Sequence, residues 1–280
     1  MIKPSLKNIA LNWTFNEQDF EDFKQNQWLI IDKIPGMLSI LEAFFLFQTA
    51  LNLRGKTNKF IDVYTNASYV VEIGSFKGRS AVTIGLGLKD NPNGEFKLIC
   101  VEPLYGNDII KGMKDDFDNN IANVGIKDLI TVFPYYSHEG VKHWSERETI
   151  SMLWIDGNHE YEYAKDDFLL WGRFLAPGGI VGFHDYYLNG VRDTIEKYIF
   201  TSNTYQNCVY IDDNLFAATK VEVWPYANQR ANKKHMFWAM KTGFTNPFLN
   251  TLFMIYYYLN KPFGSIKNFF TDSLSVQKIK

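Results

Sequence analysis

The chain has 280 residues, enough for one large domain with extensions and a sizeable buried core. Its 29 basic and 31 acidic residues leave a net charge of −2, so no sequence-wide positive field exists to hold a phosphate backbone, and nucleic acid is not expected as a partner. Hydrophobic residues at 46% and charged residues at 21% are ordinary globular usage, which excludes a disordered or fibrous chain, and the two cysteines, Cys100 and Cys208, cannot build a disulfide framework or a multi-cysteine zinc site.

That cysteine usage fits a reducing cytoplasm. Met1–Phe15 carries no uninterrupted apolar stretch behind a basic start, so no cleaved signal peptide is expected. In chain order, Phe20–Ile34 and Leu38–Leu53 have helical periodicity broken at Pro35-Gly36, which predicts a helical cap on the fold, within residues 1–66, rather than a part of its sheet. From Tyr69 onward, short apolar runs alternate with longer amphipathic stretches, the pattern of strand–helix–strand units around a parallel sheet. The strands are read as Tyr69–Ile73, Phe96–Glu102, Leu129–Phe133, Ser151–Asp156 and Ile180–His184. The crossover helices are read as Gly78–Leu88, Lys111–Asn123, Ser137–Ser145, Tyr161–Phe174 and Val191–Phe200, with Pro177-Gly178-Gly179 as a break before the fifth strand. Cys208–Ile211 and Leu215–Thr219, around Asp212-Asp213-Asn214, predict a closing hairpin.

Residues 67–221 are therefore expected to form an α/β core whose seven-stranded, mostly parallel sheet has helices on both faces. Residues 222–280 read as an aromatic-rich extension containing Met236-Phe237-Trp238, Phe248–Leu259 and Phe269-Phe270. Its apolar runs fall short of the roughly 20 residues of a spanning helix. Three roles stay open for it: packing on the substrate side of the sheet, a contact within a homo-oligomer, or a peripheral membrane surface.

Ligands of open parallel sheets sit beyond the carboxyl ends of the strands, so these ends are read together. The first runs into Glu72-Ile73-Gly74-Ser75-Phe76-Lys77-Gly78-Arg79-Ser80, where glycines four apart permit a tight turn and a close approach of backbone to ligand. The spacing is Glu-x-Gly-x-x-x-Gly, and an acidic residue before the glycines repels a pyrophosphate while suiting a ligand with a positive group, which argues against a nicotinamide dinucleotide. Glu102, ending the second strand, is placed to accept hydrogen bonds from both hydroxyls of a ribose. Together these two ends imply a nucleoside that bears a cation.

With these features the sequence resembles the class I S-adenosylmethionine-dependent methyltransferases, in order from about Pro35 to Val221. Glu72–Ser80 is similar to the cofactor loop of catechol O-methyltransferase-like enzymes, including an aromatic at Phe76 and a serine at Ser80. A closer likeness is to a bacterial group with cephalosporin hydroxylase-like, macrocin O-methyltransferase-like and sugar O-methyltransferase members. It is carried by an approach helix of the type Ile34–Glu42, by Asp156-Gly157-Asn158-His159-Glu160-Tyr161, and by Pro177-Gly178-Gly179 followed by His184-Asp185-Tyr186. The resemblance implies a Rossmann-like fold and S-adenosylmethionine as cofactor. It further implies that Glu72 and the loop residues Gly74, Ser75, Phe76, Gly78 and Ser80 hold the methionine part, that Glu102 holds the ribose, that Ser137 and His138 lie near the adenine, and that Asp156 also borders the cofactor. The acceptor it implies is a hydroxyl on a small molecule or sugar.

Independently of the family, Asp156 and His184-Asp185 end two strands expected to be neighbours, and two carboxylates with an imidazole make a candidate site for a divalent cation such as magnesium. A bound metal or a histidine base would activate the acceptor oxygen; the resemblance makes His159, which falls where the catechol enzymes carry a basic lysine, the first candidate base and His184 the second, with Asp185 beside them. Macrocin-type enzymes place a carboxylate where His184 stands, and catechol enzymes an asparagine where Tyr186 stands. Each signal also has a plain structural reading: an ordinary strand-to-helix turn for Gly74 and Gly78, a helix cap for Asp156, and a carbonyl hydrogen bond for either histidine. Two other functions stay in view. One is a nucleoside-binding protein without turnover; the other is a hydroxylase-like enzyme with an iron held by His159, His184 and Asp156 or Asp185.

Overall fold

In the computed structural model, which describes residues 17–54, 68–103, 112–146, 148–212 and 214–221, seven strands form one sheet. They are Ser68–Ile73 (β1), Phe96–Val101 (β2), Ile130–Phe133 (β3), Ile150–Ile155 (β4), Leu175–Phe183 (β5), Tyr205–Ile211 (β6) and Leu215–Lys220 (β7), in the order β3-β2-β1-β4-β5-β7-β6. Neighbours among β1 to β5 are parallel, while β7 runs antiparallel to both β5 and β6. The order reverses between β1 and β4, and at such a switch point the loops diverge and open a crevice.

Successive residues of a strand point to opposite faces, and here both faces are apolar. Val70, Leu98, Met152 and Ile180 face one core; Val71, Ile99, Leu153 and Val181 face the other. Ile40–Leu51 (α3), Arg79–Lys89 (α4) and Met113–Asn123 (α5) cover the first face, and Tyr161–Gly172 (α7) and Asn189–Ile195 (α8) the second. Two short helices, Glu17–Gln25 (α1) and Trp28–Ile31 (α2), precede α3, and a single turn, Ser137–Gly140 (α6), follows β3. Phe117 and Phe183, both 0% exposed, each contribute roughly 1.5–3 kcal/mol through burial.

The N-terminal stretch read as a helical cap supplies α3, which packs along α4 in the helical layer on the first face; Glu42 through Ala50 are all buried. Ser39 caps α3 by accepting the Glu42 amide while its own amide donates to the Glu42 carboxylate, a reciprocal box that sets where the helix starts. Two expectations are corrected. Pro177-Gly178-Gly179 lies inside β5 and does not precede it. The pairing jumps from Ile150↔Leu175 to Met152↔Ile180, so the intervening residues bulge out and Gly178 takes φ +85°. The helix read over Ser137–Ser145 is one α turn followed by a 3₁₀ turn, Val141–His143. The closing hairpin forms where expected.

Arg79, at the start of α4, ties the preceding chain down. It donates to the Ile34 carbonyl at 3.0 Å, pairs with Asp32 at 3.0 Å and lies over the Trp28 ring. Among the described residues no helix is long and apolar enough to cross a membrane. The expected extension over residues 222–280, with its aromatic runs, lies outside the described residues.

Candidate active site

Face parity decides which side chains meet at the carboxyl edge. Glu72 pairs in register with Cys100 and Trp154, and Trp154 with Gly182; two residues further along β4 and β5 stand Asp156 and His184, on the same face, under α3. Glu72 is fully buried. Its Oε2 accepts the Ser75 hydroxyl at 2.7 Å and the Cys100 thiol at 3.4 Å, while its Oε1 is buried without a hydrogen-bond partner. Burial pushes its pKa up to about 7 against the lowering effect of Ser80, Ser75 and Cys100. The next amide, that of Phe76, donates to Glu102 Oε2 at 2.9 Å. Two acidic side chains from adjacent strands thus grip consecutive residues of one loop.

That loop is shaped by its neighbours. Gly74 has φ +87°, and a Cβ there would stand 2.2 Å from the Asp156 carbonyl oxygen, so the loop after β1 touches the end of β4 directly. Gly78 caps α4, its amide donating to the Ser75 carbonyl at 2.7 Å. Ser75 and Ser80 are buried, and both hydrogen-bond Glu72, so the structure places them as braces for the loop. Phe76 is 40% exposed at the loop's tip. Across the crevice, Ser137 accepts the Trp171 indole N–H at 2.9 Å, and His138 is exposed beside the Tyr136 ring.

At the ends of β4 and β5 the expected residues converge. His184 Nδ1 lies 3.2 Å from Asp156 Oδ1 and 3.4 Å from Asp185 Oδ2. His159 Nε2 is 2.9 Å from Asp185 Oδ2 and 3.7 Å from Asp156 Oδ1. Asp185 holds φ +55°, a backbone region sparsely used by residues with a side chain and enriched at functional sites. Burial disfavours a charged His184, but its contacts with Asp156, Asp185 and Glu42 outweigh that and push its pKa up to about 12. His159 is raised to about 9, mainly by Asp156 and then Asp185. For Asp185, burial acts upward, yet His159 and His184 hold its carboxyl well below the usual carboxylate range.

One ligand atom each from Asp156, His184 and Asp185 lie within 4.8 Å of one another. Ions with bonds of about 2.1 Å to such donors hold cis ligands about 3.0 Å apart, so the 3.2 and 3.4 Å separations fit a divalent cation with small adjustment. His159 stands outside this set, pairing with its carboxylates from the solvent side.

Glu42 belongs to the approach helix in the sequence, where nothing marks it as part of the site, yet the fold brings it there. Its Oε1 is buried, lacks a hydrogen-bond partner and lies 3.5 Å from His184 Nε2, where Asn214 Nδ2 also stands at 3.0 Å. A groove of about 610 Å³ opens beside His159, between the loops after β4 and β5, lined by Asn158, Tyr161, Leu188, Asn189 and Asp193. Gly190 lets those loops touch, since a Cβ there would meet the His159 carbonyl oxygen at 2.3 Å.

Residues 71–186 match the family model for a methyltransferase domain. Among solved structures, the chain is similar to the O-methyltransferase TomG from Streptomyces achromogenes in complex with SAM, with 13% identity, TM-score 0.51 and coverage of 74% of this chain and 92% of that one. It is similar to an O-methyltransferase from Bacillus cereus in complex with SAH, at 14% identity, TM-score 0.51 and the same coverage. It is also similar to cofactor-bound Rv0187 from MTB, at 13% identity, TM-score 0.53 and coverage of 77% and 99%. At such identities these likenesses establish the fold. No curated protein matches the chain in sequence. The domain match and the shared fold thus fall on the same part of the chain, the strands and loops that carry the candidate site.

Proposed function

We propose that the chain is an S-adenosylmethionine-dependent O-methyltransferase acting on a hydroxyl of a small molecule or sugar, with a divalent cation held by Asp156, His184 and Asp185. The observation that carries this reading is the joining of two halves at one edge. The loop gripped by Glu72 and Glu102 abuts, through Gly74 and Asp156, the cluster of carboxylates and imidazoles.

In this reading Glu102 accepts the ribose hydroxyls, and Glu72, beneath the loop, supplies negative potential toward the methionine end and its sulfonium. The acceptor enters from the groove beside His159. Its oxygen attacks the methyl carbon in line as the carbon–sulfur bond breaks, leaving S-adenosylhomocysteine, and the hydroxyl proton must go to a base. A divalent cation, when bound, supplies positive charge that favours the alkoxide form of the acceptor. His159 is the base placed to take the proton, because it faces the groove and touches both acidic groups. In the structure those carboxylates raise its pKa to about 9; a cation held by Asp156 and Asp185 would draw on the same carboxylates and so weaken the cause of that rise.

Calorimetric titration with S-adenosylhomocysteine tests the reading. Micromolar binding by the wild type and its loss in Glu102→Ala are expected, and a wild type that binds no nucleoside contradicts it.

A further inference from the structure

The described part of the molecule contains one buried carboxylate oxygen directed at the cluster from outside it. Glu42, 1% exposed on α3, uses Oε2 to accept the Ser39 amide and so close the helix cap. Its Oε1 has no hydrogen-bond partner and faces His184 Nε2 at 3.5 Å. A buried acceptor left unmade is costly, so the pairing that satisfies it matters.

Asn214, from the β6–β7 turn, supplies a second orphan on the same side. Its Nδ2 stands 3.0 Å from His184 Nε2 while its Oδ1 is buried without a partner. The two ends of an amide exchange by a half-turn. With that turn, Oδ1 meets Nε2, and a proton on Nε2 serves both Asn214 and Glu42. His184 then presents Nδ1, on the opposite side of the ring, to Asp156 and Asp185.

We propose that Glu42, with Asn214, is a positioning residue that fixes the Nε2–H form of His184, making its Nδ1 a ligand to a first-row transition ion such as manganese in preference to magnesium. Ligating histidines commonly donate their other N–H to a carboxylate, which orients the ring and raises its basicity. An imidazole beside two carboxylates favours a first-row transition ion over magnesium, which favours oxygen donors alone and keeps most of its water. The Ser39 cap gives the geometry its rigidity by fixing the first turn of α3, and with it the carboxylate, over the end of β5.

This inference rests on the metal reading above, and the test separates the two. Binding of Mn²⁺ is followed by loss of the free-ion electron paramagnetic resonance signal, with Mg²⁺ as competitor, in the wild type, Glu42→Gln, Asn214→Ala, His184→Ala and the Glu42→Gln/His184→Ala double variant. Thermal unfolding and S-adenosylhomocysteine affinity serve as controls. The wild type is expected to bind Mn²⁺ at least about tenfold more tightly than Mg²⁺. Glu42→Gln should weaken Mn²⁺ by about 10–100-fold with nucleoside affinity unchanged. Asn214→Ala should weaken it less, and it carries the test should Glu42→Gln fail to fold. In the His184→Ala background Glu42→Gln should add nothing, since its effect passes through the imidazole. Equal Mn²⁺ affinity in the wild type, Glu42→Gln and Asn214→Ala overturns the role of Glu42 while leaving the metal site standing, as does a full further loss in the double variant. A preference for Mg²⁺ overturns the ion assignment. A wild type that binds neither ion overturns the metal reading and this inference with it.

Discussion

The Asp156 carbonyl oxygen occupies the space where a side chain on Gly74 would begin, 2.2 Å from the position of its Cβ. The Gly74–Gly78 loop and the acidic cluster therefore meet directly through backbone.

Gly74→Ala should consequently do two things at once. It places a Cβ against backbone and forces φ +87° on a residue that disfavours it, which costs about 1–3 kcal/mol from the backbone conformation alone. A lowered unfolding temperature together with lost S-adenosylhomocysteine binding is the expected result. Normal values for both would show that the two loops are not in contact.

Asp185→Ala should leave nucleoside affinity nearly intact while abolishing methyl transfer, because Asp185 belongs to the cluster and not to the gripped loop. Equal loss of binding and turnover would move Asp185 into the nucleoside pocket. Asp185→Asn should also bring the His159 pKa down from about 9, since one of the two carboxylates that raise it is gone; an NMR titration of the ring protons reads this directly.

His159→Ala should cost about 10²–10⁴-fold in rate, the usual range for a general base, with little change in thermal stability because the side chain is 36% exposed. Unchanged turnover would eliminate it as the base.

Asp167, buried on α7 beneath Gly157, carries a pKa raised to about 7, chiefly by burial. A carboxyl whose folded pKa exceeds its unfolded value adds stability below the unfolded pKa, and that contribution is lost as pH rises through the folded value. This group therefore makes the protein progressively less stable between about pH 4 and pH 7. Asp167→Asn removes the titration, so its unfolding temperature relative to wild type should be higher at pH 8 than at pH 5, by on the order of 2–4 °C for each kcal/mol recovered. A pH-independent difference would show that Asp167 does not titrate in this range.

Much of the framework is legible in the residues because a sheet covered on both faces writes nearly continuous apolar runs, and β1 to β4 appear within a residue or two of where those runs lie. The start of β5 is hidden because Pro177-Gly178-Gly179 reads as punctuation, whereas a bulge admits it within the pairing. The place of α3 is hidden for another reason: periodicity shows that a helix has a buried face but not what covers it, and from Glu42 to Ala50 no residue is left outside to mark a surface. Glu42 is the sharpest case. Ser39-x-x-Glu42 satisfies the grammar of a capping box, and one oxygen does serve it, so the carboxylate looks spoken for until the other oxygen is seen against His184. The convergence of Asp156 with His184 and Asp185 is legible once β4 and β5 are taken as neighbours, but the groove beside His159 is not, because it forms only where the loops after those strands close on each other around Gly190.

The most direct test of the central claim is a crystal structure of the wild type with S-adenosylhomocysteine. The account predicts ribose hydroxyls on the Glu102 carboxylate, the amino-acid end over the Gly74–Gly78 loop above Glu72, and the sulfur turned toward Asp156 and the groove beside His159. A nucleoside bound elsewhere, or bound here with its sulfur directed away from Asp156, would contradict it.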